Sequence, residues 1–403
     1  MKPTGAIPPE FAPGRLAAGG RDFAELVAEA GTPLFVYDFA IVADRIARLR
    51  TAFPGVDLHY AIKANPFAPL LEAIGPLVDG LDVASAGELA QALAVKPAGA
   101  ISFAGPGKRD AELDAAIRTG ATLNLESEGE ADRALATADR LGTTPRLAVR
   151  VNPAFELKGS GMKMGGRASP FGVDAERVPA VVKRLIATGA DWRGFHIFAG
   201  SQALDTPAII ATQNATLALA KQLAGDAGHA PPLVNLGGGF GIPYFAGDTP
   251  VDIAAVGAAL AEAMTAAALP DARYALELGR YLVGESGVYL TRVVDRKESR
   301  GETFLICDGG LHHQLAASGN FGTVVRRNYP LAVADRIGAQ PDETVNVVGP
   351  LCTPLDRLGD QIALPRAEVG DVIAIFLAGA YGLTASPTAF LNHPKAAEIL
   401  VGG

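Results

Sequence analysis

Between residues 58 and 280 one rhythm governs the chain: a short apolar run, then a longer amphipathic segment, repeated eight times. The runs are 58–63 (LHYAIK), 80–85 (GLDVAS), 101–105 (ISFAG), 121–126 (ATLNLE), 146–152 (RLAVRVN), 193–198 (RGFHIF), 232–238 (PLVNLGG) and 274–279 (YALELG). Between them lie helical patterns, among them 86–95, 111–118, 128–141, 174–188 and 251–268. A strand followed by a helix-length connection returns parallel to its predecessor. Eight such units predict an α/β fold, a (β/α)8 barrel of the TIM type rather than an open sheet.

After residue 281 the rhythm stops. Runs at 282–294, 302–307, 344–348 and 371–377 are β-rich and separated by Gly, Pro and Asp turns, which predicts a separate antiparallel β domain. The run 33–38 (PLFVYD) is one strand too many for a barrel of eight, so it is assigned to that second domain. The expected division is residues 1–38 joining the β domain, 39–280 forming the barrel, and 281–403 forming the C-terminal β domain.

Composition narrows the function. A hydrophobic fraction of 49% with 19% charged residues describes a compact enzyme-like chain. The net charge of −8 gives no basic footprint, so nucleic acid is not expected as a partner. Two cysteines make no disulfide framework, and no apolar stretch reaches the ~18–20 residues of a membrane helix. The Gly- and Pro-rich start does not look like a signal peptide, which points to a cytoplasmic protein with no membrane partner.

Polar residues recur where a barrel places its chemistry, at the C-terminal ends of successive strands. Lys63 closes the first run, Asp82 and Ser85 the second, Arg150 the fifth and His196 the sixth. Gly237, Gly238 and Gly239 end the seventh, while Glu277, Gly279 and Arg280 end the eighth. Lys63 offers an amine that can form an imine with a carbonyl compound. The glycine run lets backbone approach a phosphate, yet the sixth position counted from Gly237 is Ile242, so the spacing is not that of a dinucleotide fingerprint. Adjacent His312 and His313, with no CxxC anywhere, make no metal motif.

The ordered motifs YAIKAN (60–65), DVASAGE (82–88), RVNP (150–153), FHIFAGSQ (195–202), NLGGGFG (235–241), ELGR (277–280), GPLC (349–352) and AGAYG (378–382) carry a resemblance. The chain resembles the pyridoxal 5'-phosphate (PLP)-dependent decarboxylases of the alanine-racemase-like barrel class, which act on diaminopimelate, ornithine and arginine. That resemblance implies Lys63 as the lysine that holds the cofactor covalently, His196 as the residue stacked on its ring, and Glu277 as the partner of the pyridine nitrogen. It implies phosphate contacts from Ser201, Gly237, Gly238, Gly239, Gly279, Arg280 and Tyr381. Asp82 and Arg150 match residues near the lysine and the ring. Cys352 matches a cysteine inserted into the neighbouring subunit's site, where it donates a proton to Cα, so a homodimer with composite sites is implied.

Two departures bear on the substrate. Ile197, Phe198 and Ala199 make the spacing from His196 to Gly200-Ser201 two residues longer than usual in the family. After Cys352 the chain reads Thr353-Pro354-Leu355-Asp356 where diaminopimelate enzymes carry Glu-Ser-Gly-Asp, and 308–330 lacks their Arg-Pro-x-x-Tyr segment, leaving Arg326 and Arg327 as candidates for a carboxylate clamp. These features resemble branches associated with exosortase systems or acting on carrier-linked or conjugated amino acids. The expectation is an amino-acid carboxy-lyase whose substrate is free, conjugated or carrier-linked. A racemase on the same barrel resembles an arginine at the pyridine nitrogen, which Glu277 argues against. A non-catalytic PLP-binding protein would need neither Cys352, Tyr381 nor a second domain.

Overall fold

The computed structural model describes residues 2–11, 17–269, 271–319 and 327–403. The chain forms two compact units, one of Arg45–Ile242 and Pro250–Gly279, the other of Met1–Asp44, Pro243–Thr249 and Arg280–Gly403. Strand β1 (Leu34–Asp38) belongs to the latter. Residues 243–249 fall inside the predicted barrel range but group with the β-rich unit, because Tyr244 packs on Tyr329 with ring centroids 4.8 Å apart.

The first unit is the barrel. Its strands are β2 (Asp57–Ala61), β3 (Gly80–Val83), β4 (Ile101–Phe103), β5 (Thr122–Leu125), β6 (Arg146–Asn152), β7 (Asp191–Ile197), β8 (Leu233–Gly238) and β9 (Arg273–Leu278). Each pairs in parallel with the next, and β9 pairs with β2 to close the ring. All eight predicted runs are present, each within a few residues of its expected bounds.

Strand periodicity sorts the side chains. Tyr60, Leu81, Val83, Leu123, Leu125, Leu147, Val149, Phe195, Ile197, Val234, Leu276 and Leu278 are buried and occupy one parity. The alternate parity carries His59, Asp82, Asn124, Arg150, His196, Asn235 and Glu277. Successive side chains point to opposite faces of a strand, so the large apolar set lies beneath the helices and the polar set lines the barrel interior. Side chains cap some of the helices: Ser85 Oγ accepts from the Glu88 N–H at 3.1 Å, and Asp252 does the same for Ala255 at 3.0 Å. Ser85 is thus a helix cap.

The second unit is built on β10 (Gly287–Ser299), β11 (Glu302–Cys307), β12 (Leu331–Val333), β13 (Glu343–Val348), β14 (Arg357–Leu364), β15 (Val372–Phe376) and β16 (Ala397–Val401). The sheet runs β12-β15-β10-β11-β13-β14, and the N-terminal β1 joins it through β10 and β16. This corrects one expectation. The sheet is mixed, not antiparallel: β11 pairs in parallel with β13, and β1 with β16. Parallel neighbours need a long crossover, which residues 308–342 provide between β11 and β13. The predicted run 282–294 also begins as a short helix, Arg280–Val283, followed by the turn Gly284–Ser286, where Ser286 Oγ donates to the Val283 carbonyl at 2.8 Å. Among the described residues no helix is long and apolar enough to cross a membrane.

Candidate active site

Lys63 sits in the turn Ile62–Ala64 immediately after β2, its side chain half exposed at the carboxyl end of the barrel. Its Nζ lies 3.5 Å from Glu277 Oε1 and 5.9 Å from the ring centroid of Phe198. Glu277 is buried on β9 and faces inward by strand parity. Its second oxygen lies 2.8 Å from His196 Nε2 on β7. Burial works against ionising the Glu277 carboxyl, but Lys63, the His196 hydrogen bond and Arg150 outweigh it and hold the group well below the ordinary carboxylate range. An ionised carboxylate only accepts, so Nε2 carries the hydrogen and donates. His196 Nδ1 is buried with no hydrogen-bond partner among the described residues.

Two further pairs support this centre. Asp82 on β3 lies 3.3 Å from His59 Nδ1 on β2. Burial disfavours a charged His59, yet Asp82, with Asp57 and Glu277 behind it, raises the imidazole above its ordinary value. Arg150 on β6 donates to Glu126 Oε1 at 2.9 Å and stacks over Phe171 at 5.0 Å. Glu126 also accepts from the Gly172 N–H at 3.2 Å, so the Arg150 partner is itself fixed.

At the end of β8 the glycine turn packs without space for side chains. A Cβ on Gly238 would overlap the Glu277 carbonyl, and one on Gly239 would overlap the Gly200 carbonyl. Gly237 and Gly239 adopt φ +66° and +80°, a region side chains disfavour. The Gly237 N–H is already committed to Asn235 Oδ1 at 2.8 Å. Gly279 passes β2 closely: a Cβ there would stand 2.9 Å from that of Ala64. Ser201 lies in the two-residue strand Gly200–Ser201, paired antiparallel with Met162–Lys163. The two extra residues after His196 form the way into this ribbon, and the Ala199 carbonyl accepts from the Met164 N–H at 3.2 Å.

The β-rich unit holds the remaining predicted residues. Arg280 is clamped by aromatic rings, with Tyr381 at 4.6 Å and Tyr244 at 5.5 Å from its guanidinium. Its Nη1 also donates to the Tyr244 hydroxyl at 2.8 Å. Tyr381 takes φ +54°, an uncommon backbone state for a tyrosine that turns its ring onto Arg280. Cys352 is exposed at the tip of the loop 349–356. Arg327 stacks over Phe245 at 3.8 Å, while Arg326 lies outside the described residues.

Sequence reasoning did not single out His59, Glu126, Phe198 or Tyr244. His59 and Glu126 carried a signal: each is a charged or polar residue at or beside the inward parity of an apolar strand. Tyr244 carried none, since its role depends on a partner 36 residues away.

The donor set matches a particular cofactor. An amine for an aldehyde, a buried anionic carboxylate for a pyridinium, a flat imidazole and a glycine turn together fit PLP. Residues 40–284 match the family model described as "pyridoxal-dependent decarboxylase, pyridoxal binding domain". The chain is 36% identical over 379 residues to L-glutamyl-[BtrI acyl-carrier protein] decarboxylase of Niallia circulans, covering 92% of this chain and 88% of that one. It is 33% identical to diaminopimelate decarboxylase of Archaeoglobus fulgidus, over 97% of this chain and 92% of that one. The crystal structure of diaminopimelate decarboxylase from Helicobacter pylori, complexed with L-lysine, superposes with a TM-score of 0.83 at 28% identity, over 94% of each chain.

Proposed function

Because the chain belongs to the pyridoxal-dependent decarboxylases, we propose that its barrel-mouth centre removes the α-carboxyl group of an amino acid held through a larger, carrier-type group. The enzyme class is that of PLP-dependent amino-acid decarboxylases. When bound, PLP supplies a sink for the electron pair left on Cα as CO2 departs. Lys63 provides the amine that holds the cofactor and afterwards moves a proton at Nζ. Glu277, kept ionised by its neighbours, holds a proton on a base facing its carboxylate. His196, its Nε2 tied to Glu277, presents a ring of fixed orientation. Ser201, the 237–239 turn, Gly279, Arg280 and Tyr381 are assigned to the phosphate, and Asp82 and Arg150 to supporting the lysine and the ring.

The substrate reading rests on the loop that bears Cys352. Its acidic residue, Asp356, is buried and spends both oxygens on backbone N–H groups, at 2.6 Å from Leu311 and 2.8 Å from Leu351. The next side chains after the cysteine are Thr353, Pro354 and Leu355, so this loop offers no carboxylate to a distal ammonium. Glutamate joined to a carrier through its side-chain carboxyl keeps the α-carboxylate free to leave and carries no distal charge of either sign, which suits such a loop. We assign Cys352 to the proton delivered to Cα in the site of a partner subunit, in a homodimer.

The test is CO2 release measured on L-glutamate loaded through its γ-carboxyl as a thioester on a phosphopantetheine-bearing acyl-carrier protein, beside free L-glutamate and free meso-diaminopimelate. Turnover of the loaded carrier with little from either free amino acid is expected. Efficient turnover of free meso-diaminopimelate overturns the substrate reading.

A further inference from the structure

Three stretches meet in one place within the β-rich unit: 309–313, 349–356 and 392–394. Residues 349–356 close a small loop. Its neck is the Gly349 N–H to Asp356 carbonyl bond at 3.1 Å, with a further turn where the Asp356 N–H donates to the Thr353 carbonyl at 3.2 Å. Cys352 is at the tip, exposed.

The Asp356 side chain plugs the neck. One oxygen accepts from the Leu351 N–H, the residue just before the cysteine, and the other from the Leu311 N–H on a separate segment. A Cβ at Gly310 or Gly349 would overlap this carboxylate, so both glycines are required for it to enter. The segment it grips is then anchored in turn. The His312 ring lies tilted against those of His313 and His393, with centroids 3.8 Å and 5.0 Å away. His313 Nε2 lies 2.8 Å from the Pro394 carbonyl and Nδ1 3.1 Å from the Tyr289 hydroxyl. Since a carbonyl only accepts, Nε2 donates and Nδ1 takes the hydrogen of Tyr289.

We propose that Asp356 is a positioning residue for Cys352: it locks the cysteine loop to the histidine-bearing segment and so fixes where the thiol stands. This rests on the reading of Cys352 as the proton donor. A carboxylate accepting two backbone N–H bonds at once is uniquely suited, because neutral Asn has one acceptor oxygen and would set an N–H against an N–H.

Alkylation of the holoenzyme by iodoacetamide, followed by peptide mass spectrometry, tests it. Cys307 is buried and serves as an internal monitor of fold. In Asp356→Asn we expect Cys352 to react about threefold faster or more, as the loop samples more positions, with Cys307 still protected. In the wild type, which needs no substitution, the Leu351 and Leu311 amides should exchange hydrogen far more slowly than their exposed neighbours. Wild-type-like alkylation in the variant, or fast exchange at both amides, overturns the proposal. Cys352→Ser separates the two readings. If that variant keeps full CO2 release, the donor role falls, while the anchoring measured by alkylation and exchange stands or falls by itself.

Discussion

Replacing Glu277 by Gln removes one negative charge from a buried centre while keeping its shape. The carboxylate lies 3.5 Å from Lys63 Nζ. Two unit charges at that distance attract by about 5 kcal/mol at an effective dielectric of 20. The Lys63 side chain is 48% exposed, so water screens the pair strongly. A realistic value is ~1–2 kcal/mol, equivalent to about one pH unit in the ease of removing a proton from Nζ. The variant should therefore capture added PLP, trapped by borohydride and located by peptide mapping on Lys63, with a pH midpoint about one unit lower than wild type. The same substitution leaves His196 Nε2 beside a neutral amide and leaves no charge to hold a proton on a facing base. CO2 release should fall by ~100-fold or more even when the site is fully loaded. A capture midpoint that stays put or moves upward would refute the charge assignment, and a fully active variant would sink the role of Glu277.

Two other outcomes are expected. Mixing inactive Lys63→Ala and Cys352→Ala proteins under subunit exchange should restore about a quarter of wild-type activity, since half the dimers are then mixed and each holds one intact site; confirmed exchange with no recovery rules out the composite site. His59 has a folded-state value raised above its ordinary 6.5, so its link to Asp82 stabilises the fold fully below that value and fades as pH rises through the raised one. The gap in thermal midpoint between wild type and His59→Asn should therefore shrink from about pH 6 to about pH 9, and a gap that widens contradicts the sign.

The linear sequence determined the barrel, because its evidence is local. Each β-strand writes its two faces in alternate residues, and Asp82, Arg150, His196 and Glu277 already recur in the sequence toward the ends of successive apolar runs. Motif order then pointed to the cofactor. The direction of β13 and β16 was not legible, since parallel or antiparallel pairing depends on how a long connection travels and not on the strand's own residues. Nor was the partner of any charge. Glu277 meets Lys63 and His196 across 214 and 81 residues, Tyr244 meets Arg280, and Asp356 is spent on the N–H groups of Leu311 and Leu351. Hydrogen bonds and ion pairs form between neighbours in space, and only chain closure decides who those neighbours are.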